Sequence, residues 1–202
     1  MPTLEDILLS PELVAERVDF AAIFGNDRPV EMEIGCGKGA FLLRMARTHP
    51  DRNFFGIEWA RAFCEHCADR LARWGVTNAR MVRTDAKILV MHRLPPECLT
   101  AIHAYHPDPW PKKRHHKRRL FTPDAAAAMA RALVPGGRLA VQTDHAEYHE
   151  QIRAVLGGVA QFAEIDFDDP AFGVVGERVE TNYEIKYERE GRPIYRMAVK
   201  KR

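Results

Sequence analysis

Short apolar stretches alternate with helix-like stretches along most of this chain, and the alternation constrains its fold more than any other feature. The predicted strands are VEMEI at 30–34, NFFGIE at 53–58, ARMVR at 79–83, LTAIHAY at 99–105 and GRLAVQT at 137–143. Helical patterns lie at 39–48, 60–74, 122–133 and 145–156. Strands joined by helices form right-handed crossovers. The sequence therefore predicts an α/β protein with a mainly parallel sheet and helices on both faces.

The C-terminal part adds to this sheet. Two further strands are predicted at 161–167 and 193–200, which brings the predicted sheet to seven strands. Thr122 followed by Pro123 predicts the start of one helix, and VPGG at 134–137 predicts its end. The chain has 202 residues, of which 46% are hydrophobic, and shows no internal repeat or linker. We therefore expect a single domain.

Composition and cysteine spacing exclude several classes of protein. No apolar run reaches the roughly 18 residues that a membrane span needs, and the acidic start MPTLEDILLSPEL is unlike a signal peptide. We therefore expect a cytoplasmic protein that does not enter a membrane. Among the four cysteines, Cys64 and Cys67 form a CxxC pair without a second such pair. This favours a buried thiol pair on a helix over a zinc site, and we expect no structural disulfide and no metal.

Positive charge is concentrated in the segment HPDPWPKKRHHKRR at 106–119. The chain has a formal net charge of +2, yet this segment takes six of its 30 Lys and Arg and one of its 28 Asp and Glu. The remainder, with 24 basic and 27 acidic residues, carries −3. A run of like charge is most often solvated surface. Because the stiff PDPWP turn fixes where this run begins, we interpret it instead as a phosphate-binding rim.

A glycine-rich turn follows the first predicted strand. The stretch EIGCGKGAF at 33–41 contains Gly35, Gly37 and Gly39, and the absence of Cβ atoms there lets the backbone approach a ligand closely. Through Ala40 the stretch also fits the looser dinucleotide pattern GxGxxA. A nicotinamide cofactor is therefore one interpretation of this turn.

Acidic residues at successive strand ends favour a different cofactor. Glu58 ends the second predicted strand and would bind ribose hydroxyls in either case. Glu33, before the glycines, and Asp85, after the third strand, suit a ligand with a cationic end and an adenine amino group. S-adenosylmethionine has both and has no pyrophosphate to repel. Each carboxylate alone has a helix cap or a solvated strand end as its alternative, but ligands bind at the carboxyl ends of strands in open α/β sheets.

These motifs together resemble the bacterial tRNA (guanine-N7-)-methyltransferases. The resemblance runs from about residue 30 to the C-terminus in the family's order and spacing, and it rests on EIGCGKG at 33–39, Glu58, Asp85, PDPWPKKRHHKRR at 107–119, TD at 143–144 and TNYE at 181–184. It implies a Rossmann-like class I methyltransferase fold, with S-adenosylmethionine as the donor. The implied reaction is methylation of a guanine in the variable loop of tRNA.

The resemblance also implies roles for individual residues. Asp108 would be the catalytic residue, and the cofactor would contact Glu33, Gly35, Gly37, Gly39, Glu58, Asp85 and Asp108. The substrate would contact Lys112, Asp144, Thr181, Asn182, Tyr183 and Glu184. Apart from the resemblance, the charge of the basic segment predicts that Lys113, Arg114, Lys117 and Arg118 contact its phosphates. Two departures are visible: Tyr105 and His106 replace the family's Asn-Phe pair before the PDP turn, and Asn182 stands where a basic residue is common.

With these roles, the single domain divides into three parts. We expect a helical lead-in at 1–29, a cofactor-binding core at 30–145 and a substrate-side part at 146–202, in a monomer or homodimer that binds tRNA. The main alternative is a nicotinamide-dependent oxidoreductase that uses the same glycine turn. A second alternative is a non-catalytic RNA-binding module that uses the basic segment.

Four local features keep a structural alternative beside the functional one. Trp110 would either stack on a base or pack the turn, and Asp144 would either contact guanine or cap the following helix. TNYE at 181–184 is also a capping-box pattern. His145 and His149 have the spacing of a metal pair, but without further ligands they are expected to lie on a surface helix.

Overall fold

A computed structural model describes residues 1–169 and 190–202 of the protein. In these two ranges the strands are β1 (Leu8–Leu9), β2 (Val30–Ile34), β3 (Asn53–Glu58), β4 (Ala79–Arg83), β5 (Leu99–Tyr105), β6 (Leu133–Thr143), β7 (Phe162–Ile165) and β8 (Tyr195–Lys201). The α-helices are α1 (Leu4–Ile7), α2 (Phe20–Phe24), α3 (Ala40–Thr48), α4 (Arg61–Arg73), α5 (Ala86–His92), α6 (Pro123–Ala132) and α7 (Ala146–Gly157). Two 3-10 helices lie at Pro11–Val14 and Lys113–Arg118.

One mainly parallel sheet organises the described chain. Its strands follow the order β1-β4-β3-β2-β5-β6-β8-β7. Pairing is parallel from β1 to β6, and β8 lies antiparallel between β6 and β7. The chain builds the sheet outward from β2 on one side and from β5 on the other. Such a reversal leaves a crevice above the carboxyl ends of the two central strands.

The predicted layers are confirmed by the core, which lies on both faces of the sheet. On β3, Phe54 packs with Leu42 of α3 and Leu71 of α4 on one face. Its neighbour Phe55 belongs to the cluster on the other face, which includes Met129 of α6. Successive side chains of a strand point to opposite faces, so helices cover both. In the part of the chain that the structure describes, no helix is long and apolar enough to cross a membrane.

The prediction of seven strands was wrong by one. The described chain has eight strands, because Leu8 and Leu9 in the predicted helical lead-in pair with Met81 and Val82 at the edge of the sheet. A strand of two residues is too short to show the two-residue alternation that identifies strands in a sequence. Its partner on β4 is more than 70 residues away. This pairing therefore leaves no local mark in the sequence.

Of the two predicted boundaries of α6, the start is confirmed and the stretch predicted to end the helix has a different structure. Thr122 caps α6 as expected, accepting a hydrogen bond from the Ala125 amide, and Pro123 occupies the first turn. The VPGG stretch, however, lies inside β6, where the pairing with β5 is irregular between Leu99 and Ala101. Helix α5 was not predicted at all, since it spans only seven residues.

The predicted thiol pair is buried on α4. Cys64 and Cys67 are 1% and 0% exposed, and burial raises the pKa of Cys64 to about 11 and that of Cys67 further. Gly39 lies directly against Cys67 with a left-handed φ of 70°. A Cβ atom added to Gly39 would lie 2.2 Å from the Cys67 sulfur. The third glycine of the turn therefore serves the contact between α3 and α4.

Gly39→Ala should lower the free energy of unfolding by about 1 to 3 kcal/mol, because the new methyl group overpacks the contact with Cys67 and alanine disfavours a positive φ. Gly157→Ala at the end of α7 is the matched control, since its Cβ would meet nothing within 4 Å. We expect the control to be neutral or to gain up to about 1 kcal/mol. Urea unfolding of both variants measures this, and equal stabilities would contradict the proposed overpacking.

Candidate active site

The strand order brings the predicted site residues to one edge of the sheet. Glu58 ends β3, Glu33 and the glycines lie at the end of β2, and Asp108 and Asp144 follow β5 and β6. These four strands are neighbours in the sheet, and Asp85 follows β4 beside them. The structure thus brings together five carboxylates that are far apart in the sequence. Thr181, Asn182, Tyr183 and Glu184 lie outside the described residues.

Glu33 is a buried carboxyl group without a protein partner for one of its oxygens. The residue is 4% exposed, and its register places it between Gly56 of β3 and His103 of β5. Oε2 has no hydrogen-bond partner in the described part of the chain. Burial, with the nearby charge of Glu58 as a smaller contribution, raises the pKa of Glu33 to about 8. A cationic ligand group at this edge would supply the missing partner.

Glu31 provides an internal comparison, because it lies two residues earlier on the same face of β2. It is 3% exposed, but its oxygens bond to Arg52 Nη1 at 2.6 Å and to His103 Nε2 at 2.9 Å. Burial alone would raise the pKa of Glu31, yet His103 and Arg52 together lower it to about 2. The two carboxyls are equally buried. The difference between them is that both oxygens of Glu31 have hydrogen-bond partners, one of which is the cationic Arg52, whereas Oε2 of Glu33 has none among the described residues.

The first two glycines of the turn leave open space beside Glu33. Gly35 and Gly37 have left-handed φ angles of 79° and 51°, and an added Cβ atom would meet nothing within 4 Å at either position. The amides of Gly35 and Cys36 both donate to the Ile57 carbonyl, at 2.8 and 3.2 Å, which ties the turn to β3. This geometry gives a ligand access to the backbone at residues 35 and 37.

Glu58 holds the other side of the turn. Its Oε2 accepts from the Gly37 amide at 2.9 Å, and its Oε1 accepts from the Ala60 amide at 2.8 Å. The side chain is half-buried. Because each carboxylate oxygen has two lone pairs, these bonds leave capacity to accept hydroxyl groups. Glu58 therefore has a structural role in addition to the predicted one.

Asp85 caps α5, so the alternative considered for this residue is present in the structure. Its Oδ1 accepts from the amides of Lys87 at 2.8 Å and Ile88 at 3.1 Å. The residue is half-buried at the same edge as Glu58. A cap that uses a single oxygen fixes the carboxylate in place. The capping role is thus compatible with a second contact through Oδ2.

Asp108 lies exposed on a constrained turn that begins where β5 ends. The His106 amide donates to the Gln142 carbonyl at 2.7 Å and so extends the pairing of β5 with β6. His106 and Trp110 on either side have left-handed φ angles of 54° and 43°, which are unfavourable for residues other than glycine. Pro107 and Pro109 fix their own φ angles. The carboxylate is therefore both open to solvent and restricted in position.

The six Lys and Arg residues of the basic segment divide into five exposed residues and one buried residue. The exposed ones are Lys112, Lys113, Arg114, Lys117 and Arg118. They include the four residues predicted to contact phosphates, which lie in the 3-10 helix Lys113–Arg118. Arg119 was counted in the same run by charge, but its side chain is 0% exposed and forms an ion pair with Glu147 of α7. Nothing in the local sequence separates Arg119 from its neighbours.

Trp110 packs against this segment. The guanidinium carbon of Arg118 lies 4.9 Å from the centre of its ring, and the His115 ring meets it edge-on at 5.9 Å. Of the two roles predicted for Trp110, packing of the turn is therefore observed. Its partial exposure leaves stacking on a base as a prediction.

The capping role considered for Asp144 is wrong. His145 caps α7 instead, because its Nδ1 accepts from the Tyr148 amide at 3.2 Å. Asp144 lies 3.3 Å from Arg192 Nη1 and 4.0 Å from His106 Nδ1. Asp144 therefore lies beside the turn that carries Asp108, and its contact with the substrate stays a prediction.

The ring of His149 stacks on Tyr195 of β8, with 5.2 Å between the ring centres. In residues 1–169 and 190–202, no group of three or more His, Cys, Asp or Glu residues is arranged to hold a metal ion.

Comparisons with known proteins agree with this geometry. A family model described as "Putative methyltransferase" matches residues 27–197. A tRNA (guanine-N(7)-)-methyltransferase from Geobacter metallireducens is 35% identical over 93% of this chain and 89% of its own length. One from Rhodopirellula baltica is 34% identical over 98% of this chain and 76% of its own length.

Solved structures resemble the fold at low sequence identity. TrmN from Thermus thermophilus has a TM-score of 0.59 at 17% identity, covering 90% of this chain and 47% of its own. The antibiotic-resistance methyltransferase Kmr has a TM-score of 0.58 at 18% identity and covers 91% of both chains. A phosphoethanolamine N-methyltransferase of Haemonchus contortus, in complex with S-adenosyl-L-methionine, has a TM-score of 0.54 at 15% identity, covering 88% of this chain and 50% of its own.

Glu33→Gln should remove a loss of stability that occurs in wild type as the pH rises from about 5 to 8. The pKa of Glu33 is about 8 in the folded chain against an ordinary value of 4.5. The contribution of Glu33 to wild-type stability is therefore full below pH 4.5 and is lost as the pH rises through 8. Relative to wild type, the variant should gain at most about 1.4 kcal/mol per pH unit between pH 5 and 8.

Urea unfolding of the ligand-free protein at a series of pH values measures this gain. The test is how the difference in unfolding free energy between variant and wild type changes with pH, so a pH-independent effect of the amide does not affect it. Glu164→Gln, at an exposed position on β7, is the control and should show no such trend. A difference between Glu33→Gln and wild type that stays constant from pH 5 to 8 would contradict a neutral buried carboxyl group.

Proposed function

Because the chain belongs to the family of tRNA (guanine-N7-)-methyltransferases, we propose that the site at the carboxyl edge of its sheet transfers a methyl group from S-adenosylmethionine to the N7 atom of a guanine in tRNA. The fold is that of the class I methyltransferases. The family resemblance further suggests a guanine of the variable loop. The product is 7-methylguanosine in tRNA.

The buried Glu33, whose Oε2 has no hydrogen-bond partner in residues 1–169 and 190–202, is the observation that carries this proposal. S-adenosylmethionine has a cationic ammonium group, which would pair with this carboxylate at Oε2. A dinucleotide would instead bring a pyrophosphate to the same turn, where this carboxylate would repel it. An RNA-binding module without a cofactor would have no reason to bear the cost of burying Glu33. Both alternatives therefore explain the site less well.

Each of the remaining cofactor-site residues has a contact that its geometry permits. Gly35 and Gly37 would admit the cofactor against the backbone, where no Cβ atom intervenes. Glu58 would accept the ribose hydroxyls with the lone pairs that its two backbone bonds leave. Asp85 would accept the adenine amino group through Oδ2. Bound S-adenosylmethionine supplies a methyl group attached to a positively charged sulfur, which is electrophilic.

Methyl transfer to N7 requires positioning more than proton transfer. The N7 atom of guanine has a lone pair and carries no proton at neutral pH, so no strong general base is needed. Holding the nucleophile in line with the methyl group and sulfur can contribute up to roughly 7 to 11 kcal/mol. Asp108, exposed at the end of β5, would accept hydrogen bonds from the donors of guanine. It would also stabilise the positive charge that develops on the purine.

The basic segment would hold the tRNA around this carboxylate. Lys113, Arg114, Lys117 and Arg118 are exposed and would contact backbone phosphates. Lys112 and Asp144 are proposed to contact the substrate next to Asp108. The TNYE motif at 181–184 is proposed to do the same from the part of the chain that the structure does not describe. In this proposal the basic segment provides affinity for tRNA, and the turn that carries Asp108 promotes methyl transfer.

The wider setting follows from this function. We propose that residues 1–202 act as one domain, with 30–145 holding the cofactor and 146–202 facing the tRNA. The names of the relatives support tRNA as the partner, and we propose the cytoplasm as the place of action. We propose that no metal takes part and that the protein is a monomer or a homodimer.

Incubation with labelled S-adenosylmethionine and tRNA that lacks the modification tests the function directly. After digestion, the label should appear in 7-methylguanosine. Label in another nucleoside would reject the assigned target atom. Binding of NAD(H) without binding of S-adenosylmethionine would favour the oxidoreductase, and binding of tRNA without the cofactor would favour the RNA-binding module.

Asp108→Asn should slow single-turnover methyl transfer by about 10² to 10³, the usual effect of removing one electrostatic interaction with the transition state. Asp124→Asn is the matched control, because Asp124 is also an exposed carboxylate directly after a proline; it should keep the wild-type rate. At saturating cofactor, the rate of the wild-type chemical step should be the same at every pH between about 6.5 and 9. A tenfold rise per pH unit would instead require a general base.

Replacing Lys113, Arg114, Lys117 and Arg118 with Gln should weaken tRNA binding and flatten its dependence on salt. For duplex-like RNA, the slope should fall by up to about 0.9 for each phosphate that the variant no longer neutralises. Four exposed arginines at the opposite edge serve as the control, replaced in the same way: Arg47, Arg73, Arg131 and Arg202. Equal salt slopes for the two variants would show that the segment is ordinary solvated surface.

A further inference from the structure

Arg119 differs from every other basic residue of its segment in its surroundings. The preceding Arg118 is exposed, whereas the side chain of Arg119 is fully buried. Taking a guanidinium out of water is costly, and only well-aligned partners offset that cost. A buried arginine at the end of a phosphate-binding run therefore calls for a role other than contact with phosphate.

The partners of Arg119 lie on two parts of the chain. On α7, Glu147 forms a bidentate ion pair with Arg119: Nη1 donates to Oε1 at 2.9 Å and Nη2 donates to Oε2 at 2.6 Å. Gln151 accepts a further hydrogen bond from Nη1, and the guanidinium carbon lies 4.8 Å from the centre of the Tyr148 ring. In the other direction, Nε donates to the carbonyl of Pro109 at 2.8 Å. Arg119 thus connects α7 to the turn that carries Asp108.

The bond to Pro109 fixes the turn on the far side of Asp108. Before Asp108, the His106 amide is held by the Gln142 carbonyl at 2.7 Å. After it, the Pro109 carbonyl is held by Arg119. The two prolines fix their φ angles, and Pro109 also restricts the backbone of Asp108 itself. With both ends attached to the sheet and to α7, few torsions remain by which the carboxylate can change position.

A planar guanidinium suits this connection better than any other side chain. It presents donors in a fixed fork, so the two bonds to Glu147 set the direction in which Nε points. A buried ion pair of this kind is weak evidence for a role in stability, because apolar residues of similar size often stabilise a core equally well. What the fork supplies is orientation of the Pro109 carbonyl.

We propose that Arg119 is a positioning residue for methyl transfer, which places Asp108 against the guanine by fixing the carbonyl of Pro109. The inference rests on the proposed function of Asp108. A displacement of about 1 Å in a reacting arrangement can cost as much as about 10² in rate. Arg119 therefore acts on the chemical step through Asp108, without contact to the tRNA phosphates.

A double-mutant cycle on Arg119→Lys and Asp108→Asn tests this proposal. Lysine keeps the positive charge but loses the fork, so single-turnover methyl transfer at saturating tRNA and cofactor should slow by about tenfold or more. Affinity for tRNA and for S-adenosylmethionine should stay within about twofold of wild type. In the Asp108→Asn background, Arg119→Lys should cause no further loss, because the carboxylate that it positions is absent.

Two further variants on α7 complete the experiment. Glu147→Gln removes one partner of the fork from a residue that is 57% exposed, and it should slow the chemical step in the same direction by less. If Arg119→Lys does not fold, Glu147→Gln enters the cycle in its place. Glu150→Gln, on an exposed residue of the same helix, is the control and should keep the wild-type rate.

The outcomes separate this inference from the function on which it rests. A wild-type rate in folded Arg119→Lys, or a loss that multiplies with that of Asp108→Asn, would show that Arg119 only stabilises the protein and would overturn the inference alone. A wild-type rate in Asp108→Asn would remove the role of Asp108 and the inference with it. A slow Arg119→Lys that adds nothing to a slow Asp108→Asn supports the proposal.

Discussion

The parallel pairing of β2 with β3 on one side and β5 on the other is the constraint on which the site depends. It places Glu33 between Gly56 and His103, which buries a carboxyl group that a strand end would otherwise expose. The same pairing lets the Ile57 carbonyl of β3 hold the amides of Gly35 and Cys36. Since both neighbours run parallel to β2, their following loops open at the same edge. The cofactor turn and the Asp108 turn are therefore adjacent because of strand order alone.

At this edge of the sheet the protein has a buried polar atom without a partner and strained backbone, whereas the buried carboxylate farther along β2 is paired. Along β2, Glu31 bonds to Arg52 and His103 within the fold, whereas Glu33 lacks a partner for Oε2 in the described chain. Left-handed φ angles at His106 and Trp110 add strain on either side of Asp108. Strained backbone and unpaired polar groups persist only where the surrounding structure holds them. Here the surrounding structure consists of β-sheet bonds and the ion pair of Arg119 with Glu147.

Much of this arrangement could be predicted from the sequence, because its features are local. Apolar strands bounded by turns identify β2 to β6, and carboxylates at their ends identify the edge. What escaped prediction depends on contacts between distant residues. Leu8 and Leu9 become a strand only by pairing with β4, and Arg119 looks like its neighbours until α7 supplies Glu147. The VPGG stretch has the chemistry of a helix end, yet an irregular pairing with β5 makes it part of β6.

The contact between Gly39 and Cys67 has a consequence for the behaviour of the protein under oxidants. The turn that would receive the cofactor rests on a sulfur atom, because the Cys67 sulfur occupies the place of a Cβ atom at Gly39. The thiolate is the form that peroxides attack, and burial raises the pKa of Cys67. The sulfur is also fully inaccessible to solvent. We therefore expect Cys67 to react with peroxide more slowly than an exposed thiol does, which would protect the turn that rests on it.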